Sequence, residues 1–159
     1  MQREEIARNR FDSGYNCCQS VLLAFADRIP LCEADALRLS ASFGAGMGRL
    51  REVCGALSAA FMVCGFVLGP CDPLDADAKA AHYRRIQQLA AAFAQQNGSI
   101  LCRDLLGLPD GPDDPTPQAR TAAYYRERPC AALVASAARI LDRMLREAEA
   151  PAPSFPCNP

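Results

Sequence analysis

The chain has 159 residues, enough for one domain with a real core. Its 17 Lys and Arg nearly cancel its 18 Asp and Glu, for a formal charge of −1; there is no tryptophan and aromatic residues make up only 7%. That balance argues against an electrostatic grip on nucleic acid or anionic lipid, and against a stacking platform for bases.

Strand signals are nearly absent, and Ala and Leu recur at helical spacing, so the pattern predicts an all-α protein. The first helix is predicted over Arg3–Phe11, interrupted by "DSGYN". A second runs from Tyr15 to Arg28 and stops before Pro30; a third runs from Glu33 to Ser42. The glycine-rich loop "FGAGMGR" follows. The uncharged run "VCGALSAAFMVCGFVLGPC" then reads as a fourth helix ending at Gly69-Pro70. A fifth spans Asp77–Gln96, where "NG" supplies a left-handed stop. Ser99 is placed to cap a short helix through Leu106, and "GLPDGPDDPTP" reads as a loop. A last long helix opens at Pro129 and runs to Glu149. The expectation is a single compact helical bundle over residues 1–149, with a glycine-rich loop before a buried central helix and a flexible Pro-rich tail over 150–159.

The uncharged run sits at the lower edge of membrane-spanning length, where ~18 to 20 apolar residues are needed. Gly55, Ser58, Gly65 and Gly69 dilute its hydrophobicity, and no aromatic belt or basic flank accompanies it. It reads as a core helix, not an inserted one. Such a helix is hard to cover fully in so small a domain, so a homodimer is expected.

Nine cysteines are many for this length, and an odd count cannot pair completely. The opening "MQREEIARNRF" has no apolar stretch and does not read as a secretory signal. A cytoplasmic protein is expected, with thiols that stay free, bind metal or do redox work. The helix boundaries sort the cysteines. Cys17, Cys54, Cys102 and Cys130 fall in the first turns of four different helices, and Cys18 shares the first of those positions. Helix N-termini carry free N–H groups and partial positive charge, which favour a thiolate. Arg49, Arg51, Arg103, Arg126 and Arg128 lie close by in sequence. A helix terminus contributes only ~0.3 to 1 kcal/mol per charge, while an uncompensated buried thiolate costs several times that. Four converging thiolates therefore need a cation or an iron–sulfur core, or they must be protonated or oxidised. Cys64 reads as a small core hydrophobe, Cys32 and Cys71 sit at helix ends or turns, and Cys157 lies in the tail. No CxxC pair and no haem-attachment motif occurs.

"FDSGYNCCQSVLLAF", "FGAGMGRLREVCGALSAAFMVCG", "GSILCRDLLG" and "RPCAALVASAARIL" occur in an order that resembles the C_GCAxxG_C_C family of redox-active proteins. The resemblance covers Phe11 to about Leu141, and the family's four cysteines fall on Cys17, Cys54, Cys102 and Cys130. It implies a small bacterial protein with redox or metal-linked activity, often encoded near transporter genes. A related domain in split-Soret cytochromes points toward an iron–sulfur centre. Two departures stand out: Ala59 replaces the last glycine of CGAxxG, and position 18 is a second cysteine able to serve as a ligand.

The leading expectation is an iron–sulfur cluster, for instance [2Fe–2S], held by Cys17, Cys54, Cys102 and Cys130, with Cys18 as a further candidate, for electron transfer or sensing. The alternatives are a metal-free thiol–disulfide protein and a zinc-binding structural or trafficking protein. The partner would be an electron-transfer or transporter-linked protein. Gly44, Gly46, Gly48 and Gly55 are the positions expected to let backbone approach the cofactor. "GAGMG" lacks the preceding strand, lysine and serine of a nucleotide loop. His82 reads as a solvated or capping residue, and Asp110, Asp113 and Asp114 as turn formers.

Overall fold

The computed structural model describes residues 1–148. The expectations for the tail, Cys157 included, fall outside the described residues. The helices run in the order α1 (Arg3–Asp12), α2 (Cys17–Ala24), α3 (Glu33–Ala41), α4 (Gly44–Met47), α5 (Gly55–Leu68), α6 (Ala76–Asn97), α7 (Cys102–Leu106), α8 (Ala122–Glu127) and α9 (Cys130–Glu147). Among the described residues there is no strand, only one isolated antiparallel bridge between Val53 and Leu101. The protein is all-α.

The uncharged run forms α5, which packs against α2, α6 and α9. Ala56, Ala59, Ala60, Val63 and Cys64 of α5 are at most 1% exposed, so small side chains let three neighbours close around it. At 14 residues and ~1.5 Å rise each, α5 falls well short of a bilayer's hydrocarbon core. Among the described residues no helix is long and apolar enough to cross a membrane. The α9 helix buries Leu133, Val134, Ala137, Ile140, Leu141 and Leu145, a stripe at helical spacing that meets α1, α5, α2 and α6. Fully burying one such Leu or Ile stabilises the fold by ~1.5–3 kcal/mol.

Local signals fix the helix ends. Asn16 and Gln19 form a reciprocal capping box at the start of α2: Gln19 N–H donates to Asn16 Oδ1 at 2.9 Å, and Asn16 N–H to Gln19 Oε1 at 3.1 Å. Asp75 caps α6 by accepting from Ala78 N–H, and left-handed Gly98 ends it.

Three boundaries differ from the sequence-based expectation. The second helix stops at Ala24, where the Arg3 guanidinium donates to the Ala24 carbonyl at 2.7 Å, and Ala26–Arg28 continue only as a 3-10 turn. Ser99 does not cap α7. Its hydroxyl accepts from Leu101 N–H and donates to Asp104, and Leu101, drawn into the bridge with Val53, occupies the N-cap position. The α8 helix was not anticipated, because its six residues lie between a proline-rich loop and Pro129; its one local signal is Thr121, whose hydroxyl accepts from Tyr124 N–H.

Candidate functional site

The four helix-start cysteines line one common cavity. Cys17 opens α2, Cys54 is the N-cap of α5, Cys102 opens α7, and Cys130 opens α9 directly after Pro129. All four line one cavity of about 270 Å³. Two stretches of backbone hold Cys54 beside Cys102: Cys54 N–H donates to Ile100 O at 2.8 Å, Cys102 N–H to Glu52 O at 2.7 Å, and Arg103 N–H to Arg51 O at 3.1 Å. Cys17 is held over the start of α5 because Gly55 has no side chain. A Cβ there would lie 2.6 Å from the Cys17 sulfur and 2.4 Å from the Phe43 carbonyl oxygen.

Burial dominates the acid–base state of these thiols. It pushes the Cys17 thiol up against the opposing N–H of Ala45. Burial and the neighbouring Cys17 raise Cys54, with the first-turn N–H groups of Ala56 and Leu57 working the other way. Cys130 is pushed up to about 11 by burial and by Cys17, with Arg128 opposing. The helix termini favour thiolate, as their position predicts, but their effect is smaller than the desolvation cost. Without a compensating cation, these three sulfurs are protonated at neutral pH.

The glycine-rich segment, the short element α4 included, winds left-handed and is not a regular α-helix. Ala45, Gly46, Met47, Gly48 and Arg49 have φ of 57, 68, 63, 62 and 68°, and Arg51 has φ of 63°. Met47 N–H bonds Phe43 O, and Gly48 N–H bonds Gly44 O. Each non-glycine residue here costs ~1–2 kcal/mol, so tertiary contacts must hold the turn. Behind the turn, a Cβ on Gly46 would lie 2.6 Å from Cys102 Cβ, while one on Gly44 would overlap the Asn16 side chain at 2.6 Å. Gly44, Gly48 and Gly55 line the cavity and Gly46 does not. These glycines serve first to bring the cysteine-bearing elements together.

Arg51 completes the wall. Its side chain is 2% exposed, its Nη1 donates to Cys102 Sγ at 3.6 Å, and its Nη2 donates to Asp113 Oδ2 at 2.7 Å. Arg49 donates to the same carboxylate at 2.8 Å and also to the Asp114 carbonyl, and Asp113 N–H returns a bond to Arg49 O. Asp113 is thus more than a turn former: it straps the 107–121 loop across the cavity. Sequence adjacency had associated Arg51 with Cys54, yet its guanidinium reaches Cys102. Arg103 turns away from the sulfurs and pairs with Glu52 and Asp110.

The other candidates lie elsewhere. Cys18 and Cys64 are 0% exposed in the apolar core and outside the cavity; Cys32 is the exposed N-cap of α3. Ala59 is likewise buried away from the cavity, so its methyl does not alter the wall. His82 lies inside α6, not at its cap, and its buried Nδ1 has no partner among the described residues. Among the described residues no three His, Cys, Asp or Glu side chains are grouped so as to hold a metal ion.

The family model described as "Putative redox-active protein (C_GCAxxG_C_C)" matches residues 15–144. No curated protein and no solved structure matches the chain. The family match spans all four cavity cysteines and most of the sequence: the protein belongs to the C_GCAxxG_C_C family of redox-active proteins.

Proposed function

We propose that the cavity is a redox centre in which Cys17, Cys54, Cys102 and Cys130 hold an iron–sulfur cluster for electron transfer or sensing. The observation that carries this reading is the placement of four thiols from four helix starts around one cavity. Among the described residues no three His, Cys, Asp or Glu side chains form a ready metal-binding group, so the reading rests on the shared cavity and the family match. When bound, such a cluster supplies one-electron chemistry and the positive charge that four thiolates require.

The chain's own residues would do the rest. Arg51 donates to Cys102. Donors to sulfur favour the more negative, reduced state and raise the potential. The thiol–disulfide reading has less support, because a nucleophilic thiol needs a lowered pKa and burial raises three of these.

The test is protein purified without oxygen, analysed for iron, sulfide and visible absorption. Charge-transfer bands with iron and sulfide, diminished by serine at any of the four positions and not by Cys64→Ser, are expected. Colourless, iron-free protein that cannot be reconstituted and titrates as a dithiol would replace this reading with the thiol–disulfide one.

A further inference from the structure

Four arginines, Arg49, Arg51, Arg120 and Arg128, line the cavity, and no Asp or Glu does among the described residues. Arg49 and Arg51 share the Asp113 carboxylate from behind. Arg120 and Arg128 have no carboxylate partner among the described residues. Both stack on one ring: their guanidinium carbons lie 4.7 and 5.0 Å from the centre of Tyr124. Arg120 also covers Phe11 at 4.5 Å and Tyr125 at 5.8 Å. Stacking fixes the plane of a guanidinium and leaves its N–H edge free. Arg120 spends a donor on Tyr15 O and Arg128 one on Gln118 Oε1, so most of their N–H groups remain uncommitted. Two like charges beside one tyrosine repel each other unless an anion lies between or before them. Among the lining residues Arg120 is exposed and Arg128 half-buried, which marks their side as the cavity's mouth, while Cys54 and Cys102 are buried.

We infer that this mouth is a binding site for a small oxyanion, held by the N–H edges of Arg120 and Arg128 in front of the cysteine wall. A planar fork on a rigid aromatic support matches two oxygens of one anion, and the size of the cavity selects a small one. The inference deepens the redox reading by naming the class of ligand this centre would meet. It rests on the arginines and not on the cluster, so the two can fail separately.

The test is isothermal titration of the full chain with sulfate, against chloride at equal ionic strength, in iron-loaded and iron-free protein. Saturable sulfate binding is expected, weakened about tenfold or more in Arg120→Gln and in Arg128→Gln. Arg143→Gln, which alters only a pair with Glu147 on α9, should bind as the parent does. Because Arg120 also covers three rings, Arg120→Lys is included: it keeps the charge and the stacked stem, and should still bind sulfate more weakly than the parent. No heat beyond that of chloride, or equal affinity in parent and both glutamine variants, would overturn the site. Sulfate binding by protein that fails to take up iron would leave this inference standing and remove the cluster.

Discussion

Gly55 and Cys17 are packed so closely that one added carbon on Gly55 would lie 2.6 Å from the Cys17 sulfur. The same carbon would lie 2.4 Å from the Phe43 carbonyl, which belongs to backbone and cannot swing aside. Gly55→Ala should therefore destabilise the protein by about 1–3 kcal/mol and displace Cys17 from the cavity. Ten residues later in the same helix, a Cβ on Gly65 would meet nothing within 4 Å. Gly65→Ala should stabilise the protein by about 0.5–1 kcal/mol, as alanine does in an unobstructed helix. Urea denaturation of both variants checks the pair. Equal and small effects would show that Gly55 is not a point of close approach.

Arg51 combines a strained backbone with a buried charged side chain, and substitutions can separate the two. Arg51→Ala loses the bonds to Asp113 and Cys102 and keeps φ of 63°, so a loss of about 2 kcal/mol or more is expected. Arg51→Gly loses the same bonds but relieves the backbone, and should be about 1 kcal/mol more stable than the alanine variant. Both should lower the reduction potential of the reconstituted centre, since a donor to the Cys102 sulfur is gone. An unchanged potential would confine Arg51 to a structural role.

The placement of Cys17, Cys54, Cys102 and Cys130 at helix starts was legible because helix starts are written locally. Cys17 directly follows Asn16 after the "DSGYN" break, Pro129 suits a first turn, and a glycine run precedes Cys54. The identity of the supporting residues was not. Arg51 lies 51 positions from Cys102 and 62 from Asp113, and nothing in either neighbourhood marks the pairing. The left-handed turn was equally hidden. Ala45, Met47 and Arg49 do not prefer positive φ, and the turn's own backbone bonds together with the Asp113 strap hold it. Ser99 looked like a cap by type, but the bridge between Val53 and Leu101 moved the helix start beyond it.

His82 gives the protein an acid-sensitive term outside the cysteine cavity. Burial, and then Arg85, hold its pKa below the ordinary 6.5, and its buried Nδ1 has no acceptor for a second proton. The unfolded chain takes up that proton near pH 6.5 and the folded one does not. The unfolded state therefore binds more protons below 6.5, and stability falls as pH drops from there to the lowered folded pKa. His82→Gln should remove this part of the slope. Urea midpoints measured from pH 8 to pH 5 test it, and parallel curves for parent and variant would rule it out.

Cys17 and Cys18 are adjacent, but they are not interchangeable. Cys17 lines the cavity, with Gly55 open beside its sulfur. Cys18 is 0% exposed among apolar side chains, and burial pushes its thiol pKa up strongly. Residues one apart on a helix differ by ~100° in direction, so bringing Cys18 to the cavity would require rotating α2 and exposing Val21 and Leu22. Both of those side chains are 0% exposed, and uncovering them would cost several kcal/mol. Cys17→Ser should therefore lose iron as fully as the double variant Cys17→Ser with Cys18→Ala. Cys18→Ala alone should keep its iron at a modest cost in stability, as a small core truncation does. Iron and sulfide content after anaerobic reconstitution decides the matter. More iron in Cys17→Ser than in the double variant would mean that α2 can turn and that Cys18 serves as a reserve ligand.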